Sequence, residues 1–139
     1  MIMENYRSYC PVNLALEVFG DKWSLILIRD IMFEGKRYFR ELLRSDEKIA
    51  SNILTDRLAM LEREGVISKA SDPKYKQKYI YSLTPKGIDL LPIMVEIGAW
   101  SLKHRPVDLK KHKHAQGLIK GGKELQKAIR KDLLKKYLK

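Results

Sequence analysis

The sequence predicts a mainly α fold of the α+β class, a winged helix-turn-helix with a C-terminal dimerisation helix. Three observations predict it. Four short helical patterns, separated by Gly, Asp and polar breaks, fill the chain up to Gly65. Two β-rich runs, "VISKA" and "KYIYSL", follow at once around an Asp-Pro turn. A Thr-Pro start then opens a helix that is apolar over nearly its whole circumference.

Each element has its own signals. In "CPVNLALEVFG", Pro11 stands at a first helical position, Val12, Ala15, Leu16 and Phe19 share a side, and Gly20 terminates. Asp21 is the expected N-cap of "KWSLILIRDIMF", the central buried helix, which Gly35 ends. "YFRELLRS" turns Phe39, Leu42 and Leu43 inward. After the polar break "DEKI", Ala50, Leu54, Leu58 and Leu61 form the core face of the next helix, with Ser51, Asn52 and Thr55 facing away. Ser, Asn and Thr weaken a helix interior, so on exposed first turns they either cap it or touch something that needs short hydrogen-bonding side chains. Two helices joined by a short turn, the second with a polar N-terminal face, outline a helix-turn-helix.

In the hairpin that follows, Tyr79, Tyr81 and Leu83 alternate against Ile80. Its tip gathers Lys74, Tyr75, Lys76, Gln77 and Lys78, a mixture suited to straddling a phosphate backbone or entering a minor groove. "LTPKGIDLLPIMVEIGAWSLKHR" reads as one helix with Thr84 as N-cap, Pro85 at its first position and a kink at Pro92, which lacks the amide that would bond the Ile88 carbonyl. Apolar residues all round such a helix need cover from a second subunit.

The chain has 139 residues, 45% of them hydrophobic, enough for one core in residues 1–106 followed by a basic, helical tail over residues 107–139. The net charge is +11, but residues 1–106 hold 17 Lys and Arg against 14 Asp and Glu, while the tail holds 11 against 3. Local clusters, not the overall charge, therefore decide what the main body binds. In the tail, Leu125, Ile129 and Leu133 form one stripe among lysines, after a break at Gly121 and Gly122. Packing on a dimer, extra DNA contact and attachment to a membrane surface all fit that stripe.

The longest apolar run, "LILI" at Leu25–Ile28, is far too short to span a bilayer, and "MIMENYRSYCPV" lacks the pattern of a signal peptide, so the expected location is cytoplasmic. Catalysis is not expected. There is no Gly-rich phosphate loop, and His104, His112 and His114 have only Asp108 as a nearby carboxylate, a poor metal site; no metal or cofactor is predicted. Cys10 is the single cysteine. It precedes Pro11 at a helix start, where unpaired amides, with Arg7 nearby, favour a thiolate; burial in a dimer interface would instead leave it inert.

The ordered set "CPVNLALEVFGDKWSLILIRDI", "YFRELL", "IASNILTDRLAMLEREGVI", "YSLTPKG" and a Trp-containing helix, over roughly residues 8–104, resembles the HxlR-type winged helix family of bacterial transcriptional regulators. The resemblance implies a homodimer on a palindromic operator of double-stranded DNA. Its interface would take Val12 and Leu16 from the first helix and Leu91, Met94, Val95, Ile97 and Trp100 from the last. It places Ser51, Asn52 and Thr55 in the major groove, with Lys48 as a phosphate contact and Arg57 either on a phosphate or paired with Glu41 or Asp56 as scaffold. Several family members sense through a cysteine in the same "CPV" setting, which makes Cys10 the candidate redox sensor. Ala50 departs from the family's usual Ser and leaves capping to Ser51 or the backbone. The expected function is a repressor, because a protein lying across a promoter blocks polymerase. The alternatives are a MarR-like regulator with a small-molecule pocket and a non-catalytic, RNA-associated scaffold.

Overall fold

A computed structural model describes residues 5–138, which form two compact units, one running to Ser82 and the other beginning at Leu83. The first contains α1 (Pro11–Phe19), α2 (Ser24–Met32), α3 (Phe39–Leu42), α4 (Ser51–Arg63), β1 (Ile67–Ser71) and β2 (Tyr79–Leu83), whose last residue opens the second unit. Asp21, expected as the N-cap of α2, lies two residues before the N-cap Trp23, and its carboxylate accepts the amides of Trp23 at 2.9 Å and Ser24 at 3.0 Å. Leu27, Ile28 and Ile31 of α2 are completely enclosed, together with Leu42 of α3 and Leu54 and Leu61 of α4.

Two further expectations change in this unit. The helix expected over "YFRELLRS" is one turn long, and Leu43 lies at the surface because the chain leaves α3 after Leu42; the next buried positions are Ser45 and Ile49 in the turn. Ala50 is exposed rather than part of the core face, since it is the extended residue before α4. At the other end of α4, Gly65 adopts φ +75°, which lets the Val66 amide close the helix on the Leu61 carbonyl at 2.9 Å. The β1–β2 hairpin has a further partner: the Tyr81 amide donates to the Arg37 carbonyl at 2.8 Å, and the Arg37 guanidinium reaches the Tyr81 carbonyl and the Ser82 hydroxyl.

The second unit contains α5 (Pro85–Ile88), α6 (Leu91–His104), α7 (Lys113–Lys120) and α8 (Gly122–Tyr137). The Thr84 hydroxyl caps α5 by accepting the Gly87 amide at 3.2 Å. The single kinked helix expected here is two helices. Pro92 lies in the first turn of α6, where a missing amide costs nothing, while the Leu90 amide turns back to Gly87 at 3.1 Å and ends α5. The tail is helical and packs within this unit. Gly122 takes φ +62° at the break between α7 and α8, Leu133 is 5% exposed, and Arg130 of α8 pairs with Asp89 at 2.7 Å.

Leu91 and Val95, expected at a subunit interface, are 1% and 3% exposed within the chain itself, so they are core residues. Periodicity distinguished apolar from polar positions on α6 but not which apolar side the chain covers for itself. Met94 is half-buried, and Ile97 and Trp100 remain 45% and 59% exposed.

Candidate nucleic-acid interface

Helix α4 presents its first turn to solvent. Ser51, Asn52 and Thr55 are exposed, whereas Leu54, Leu58 and Leu61 anchor the opposite face in the core. No side chain caps the helix and no acidic residue lies in its first turn, so its leading amides are free to meet an anion. The Thr55 hydroxyl donates to the Ser51 carbonyl at 2.9 Å, which leaves its oxygen as an acceptor. Lys48 is exposed and lies at φ +61°, a left-handed conformation uncommon for a residue with a side chain, in a turn closed by its own amide on the Ser45 carbonyl.

Arg57 faces the scaffold. Its Nε lies 3.5 Å from Asp21 and 3.7 Å from Asp56, and it is buried without a hydrogen-bond acceptor. The expected alternative partner Glu41 is occupied elsewhere: its carboxylate accepts the Arg37 and Tyr38 amides at 3.0 and 3.1 Å.

The turn into α4 is held by a charge network that sequence reasoning missed. Arg29 donates to both Glu47 oxygens at 2.7 and 2.8 Å and to Asp30 at 2.7 Å, and Lys36 approaches Asp30 at 3.4 Å. The hydrogen bonds from Arg29 hold the Glu47 carboxyl below its usual range. Arg29 and Glu47 lie too far apart in sequence to form a local pattern. The available signal was Asp30, a carboxylate inside an apolar run and only 1% exposed, which requires a cationic partner.

The wing also depends on a residue that the sequence reading did not single out. Asp72, 5% exposed, accepts the Lys74 amide at 2.9 Å and the Tyr38 hydroxyl at 2.7 Å. Its amide donates to the Lys78 carbonyl, and the Lys78 amide closes the tip on Tyr75. The Lys74 amide and the Tyr38 hydroxyl lower the Asp72 pKa, and the same bond to Asp72 raises that of Tyr38. Lys74, Tyr75, Lys76, Gln77 and Lys78 are all exposed on the resulting turn.

A helix with a bare polar first turn and a pinned cationic hairpin thus occur in one compact unit. The model for HxlR-like helix-turn-helix proteins matches residues 18–108. The chain belongs to that family. The HTH-type transcriptional regulator YdeP of Bacillus subtilis, itself uncharacterized, is 35% identical over 96 residues, covering 69% of this chain and 74% of that one. The structure of the redox regulator HypR in its reduced form is 33% identical with a TM-score of 0.62, covering 73% and 98% of the two chains. Reduced YodB from B. subtilis is 27% identical with a TM-score of 0.58, covering 70% and 95%. This HxlR-type chain is accordingly a helix-turn-helix transcriptional regulator with DNA as its partner, not an enzyme.

Cys10 belongs neither to α4 nor to the wing of this HxlR-type regulator. Its thiol is exposed at the start of α1 within the chain. Arg7, expected beside it, instead donates to Asn13 at 2.7 Å and lies 3.4 Å from Glu17. The His112 and His114 rings are 6.4 Å apart, and among the described residues no group of three His, Cys, Asp or Glu side chains could hold a metal ion. No helix among them is long and apolar enough to cross a membrane.

Proposed function

We propose that the chain acts as a homodimeric repressor. Each copy lays the first turn of α4 into a major groove of a palindromic operator and sets its wing on the adjacent backbone. The observation that carries this reading is the division of labour in the first unit: Ser51, Asn52 and Thr55 exposed on a helix fixed by a leucine face, and lysines on a hairpin tip fixed by Asp72. Dimerisation is supported by large apolar side chains left in solvent, Val12 at 68% and Leu16 at 47% on α1, Ile97 and Trp100 on α6. Two linked recognition helices would meet half-sites about 34 Å apart.

The signal in this reading is oxidative, received at Cys10. Its thiol is exposed at a helix start, and similar chains include HypR, seen in an oxidized form, and YodB, seen bound to quinone and after diamide treatment. With one cysteine per chain, the product is a Cys10–Cys10 link across the dimer, a mixed disulfide or a sulfenic acid. Operator affinity measured with and without diamide, for wild type and Cys10→Ser, tests it. The expected result is release of wild type alone. Equal response of the two proteins would remove Cys10 as the sensor, and absence of preference for a palindromic duplex would remove the repressor reading itself.

A further inference from the structure

The first unit contains a concavity of about 580 Å³ between α3 and the base of the wing, a volume suited to a small molecule. Its walls are unusual in combining aromatic rings with cations. Tyr38, Tyr79 and Tyr81 line it, and so do Arg40, Arg44 and Lys78. One carboxylate, Glu41, also lies at the wall, but one of its oxygens already accepts the amides of Arg37 and Tyr38. Arg40 and Arg44 are exposed, and neither forms an ion pair among the described residues. The Lys78 ammonium is 5.8 Å from the centre of the Tyr38 ring, so cation and ring already face one another across the wall.

We propose that this concavity binds a small aromatic carboxylate, its ring against the tyrosines and its carboxylate on Arg40 and Arg44. Guanidinium groups bind carboxylates through paired donors, and two without an ion pair, in a concavity that tyrosines also line, match an anion that carries its own flat apolar body. A neutral aromatic would leave the cations unused, and an aliphatic acid would leave the rings uncovered. The site includes Tyr38 and Lys78, and Tyr38 donates the hydrogen bond that pins Asp72 at the wing. An occupant therefore touches the residues that hold the wing, and its presence changes how the wing meets DNA. That consequence rests on the repressor reading; the binding itself does not.

The test uses 2-naphthoate as probe, titrated into the full-length protein by calorimetry and followed by the ring resonances of labelled tyrosines, with 2-naphthalenemethanol and cyclohexanecarboxylate as controls. Expected are saturable naphthoate binding, shifts at Tyr38, Tyr79 and Tyr81, and much weaker binding of both controls. Arg44→Ala, a surface change that leaves the core intact, should weaken naphthoate about tenfold, the loss of one charge-assisted contact. Equal binding of naphthoate and its alcohol, or an unaffected Arg44→Ala variant, would overturn the proposal. So would failure of naphthoate to bind while Arg44→Ala weakens DNA, which would make this wall part of the DNA surface. If naphthoate titrates normally but no duplex is bound, the ligand site stands and the repressor reading fails.

Discussion

The first turn of α4 and the tip of the wing are both exposed and polar, yet they are built on opposite principles. The helix turn is free at its surface and fixed from beneath: Leu54, Leu58 and Leu61 are 0–3% exposed, and no side chain caps the leading amides. The wing tip has little apolar anchorage and is fixed by polar bonds that converge on Asp72. Packing beneath fixes the helix backbone that carries the polar side chains, as hydrogen bonding to base edges requires; a lysine on a phosphate tolerates more freedom. The difference teaches that the two regions should fail separately and under different conditions.

The largest effect should come from removing the support of the helix. Leu54→Ala takes a completely enclosed side chain out of the core and should cost about 2–5 kcal/mol in urea unfolding, with loss of all DNA binding near the lowered midpoint. A loss below 1 kcal/mol would mean that α4 is not held by its leucine face.

Asn52→Ala sharpens the comparison because its two expected effects have opposite signs. Ala is the better helix former, so stability should rise by a few tenths of a kcal/mol, while preference for operator over random DNA should fall by about 1–3 kcal/mol. A variant that loses both would show that Asn52 supports the helix rather than reads DNA.

The core stripes were legible because a buried helix face repeats every three to four residues, and α2 and α4 follow that repeat closely. The wing was legible from Asp-Pro turn chemistry between β-rich runs. What stayed hidden depends on distance in sequence. Tyr38 and Asp72, and Arg29 and Glu47, meet only once the chain has folded, and no local pattern pairs them. Leu91 and Val95 were misplaced for the same reason: apolar character says that a residue needs cover, but not whether its own chain provides it. The break before α6 was hidden differently, since proline signals a missing amide without deciding between a kink and a new helix.

Asp72 gives the wing a pH dependence of its own. Its native pKa lies below the ordinary value near 3.8, held there by the Lys74 amide and the Tyr38 hydroxyl, so the folded state favours the carboxylate. The contribution is therefore complete above the unfolded pKa and disappears as pH falls through the native one. Asp72→Asn should be less stable than wild type at neutral pH, with the gap closing on acidification. Amide exchange around residues 72–78 should report the same change, while α4 stays protected. A gap independent of pH would assign the wing's order to packing.

Lys76→Ala should have the smallest effect, and its form matters more than its size. Lys76 is exposed on the wing tip, so removing it disturbs neither core nor hairpin. If it meets a phosphate, its loss eliminates one released counterion: the slope of log affinity against log salt should fall by about 0.9, and operator and random DNA should weaken by the same factor. Specificity then stays constant where Asn52→Ala reduces it. An anisotropy titration of both variants on both duplexes, at four salt concentrations, separates the two behaviours. If Lys76→Ala changes the operator preference while leaving the slope alone, the wing reads sequence, and the division between a reading helix and a backbone-holding hairpin is wrong.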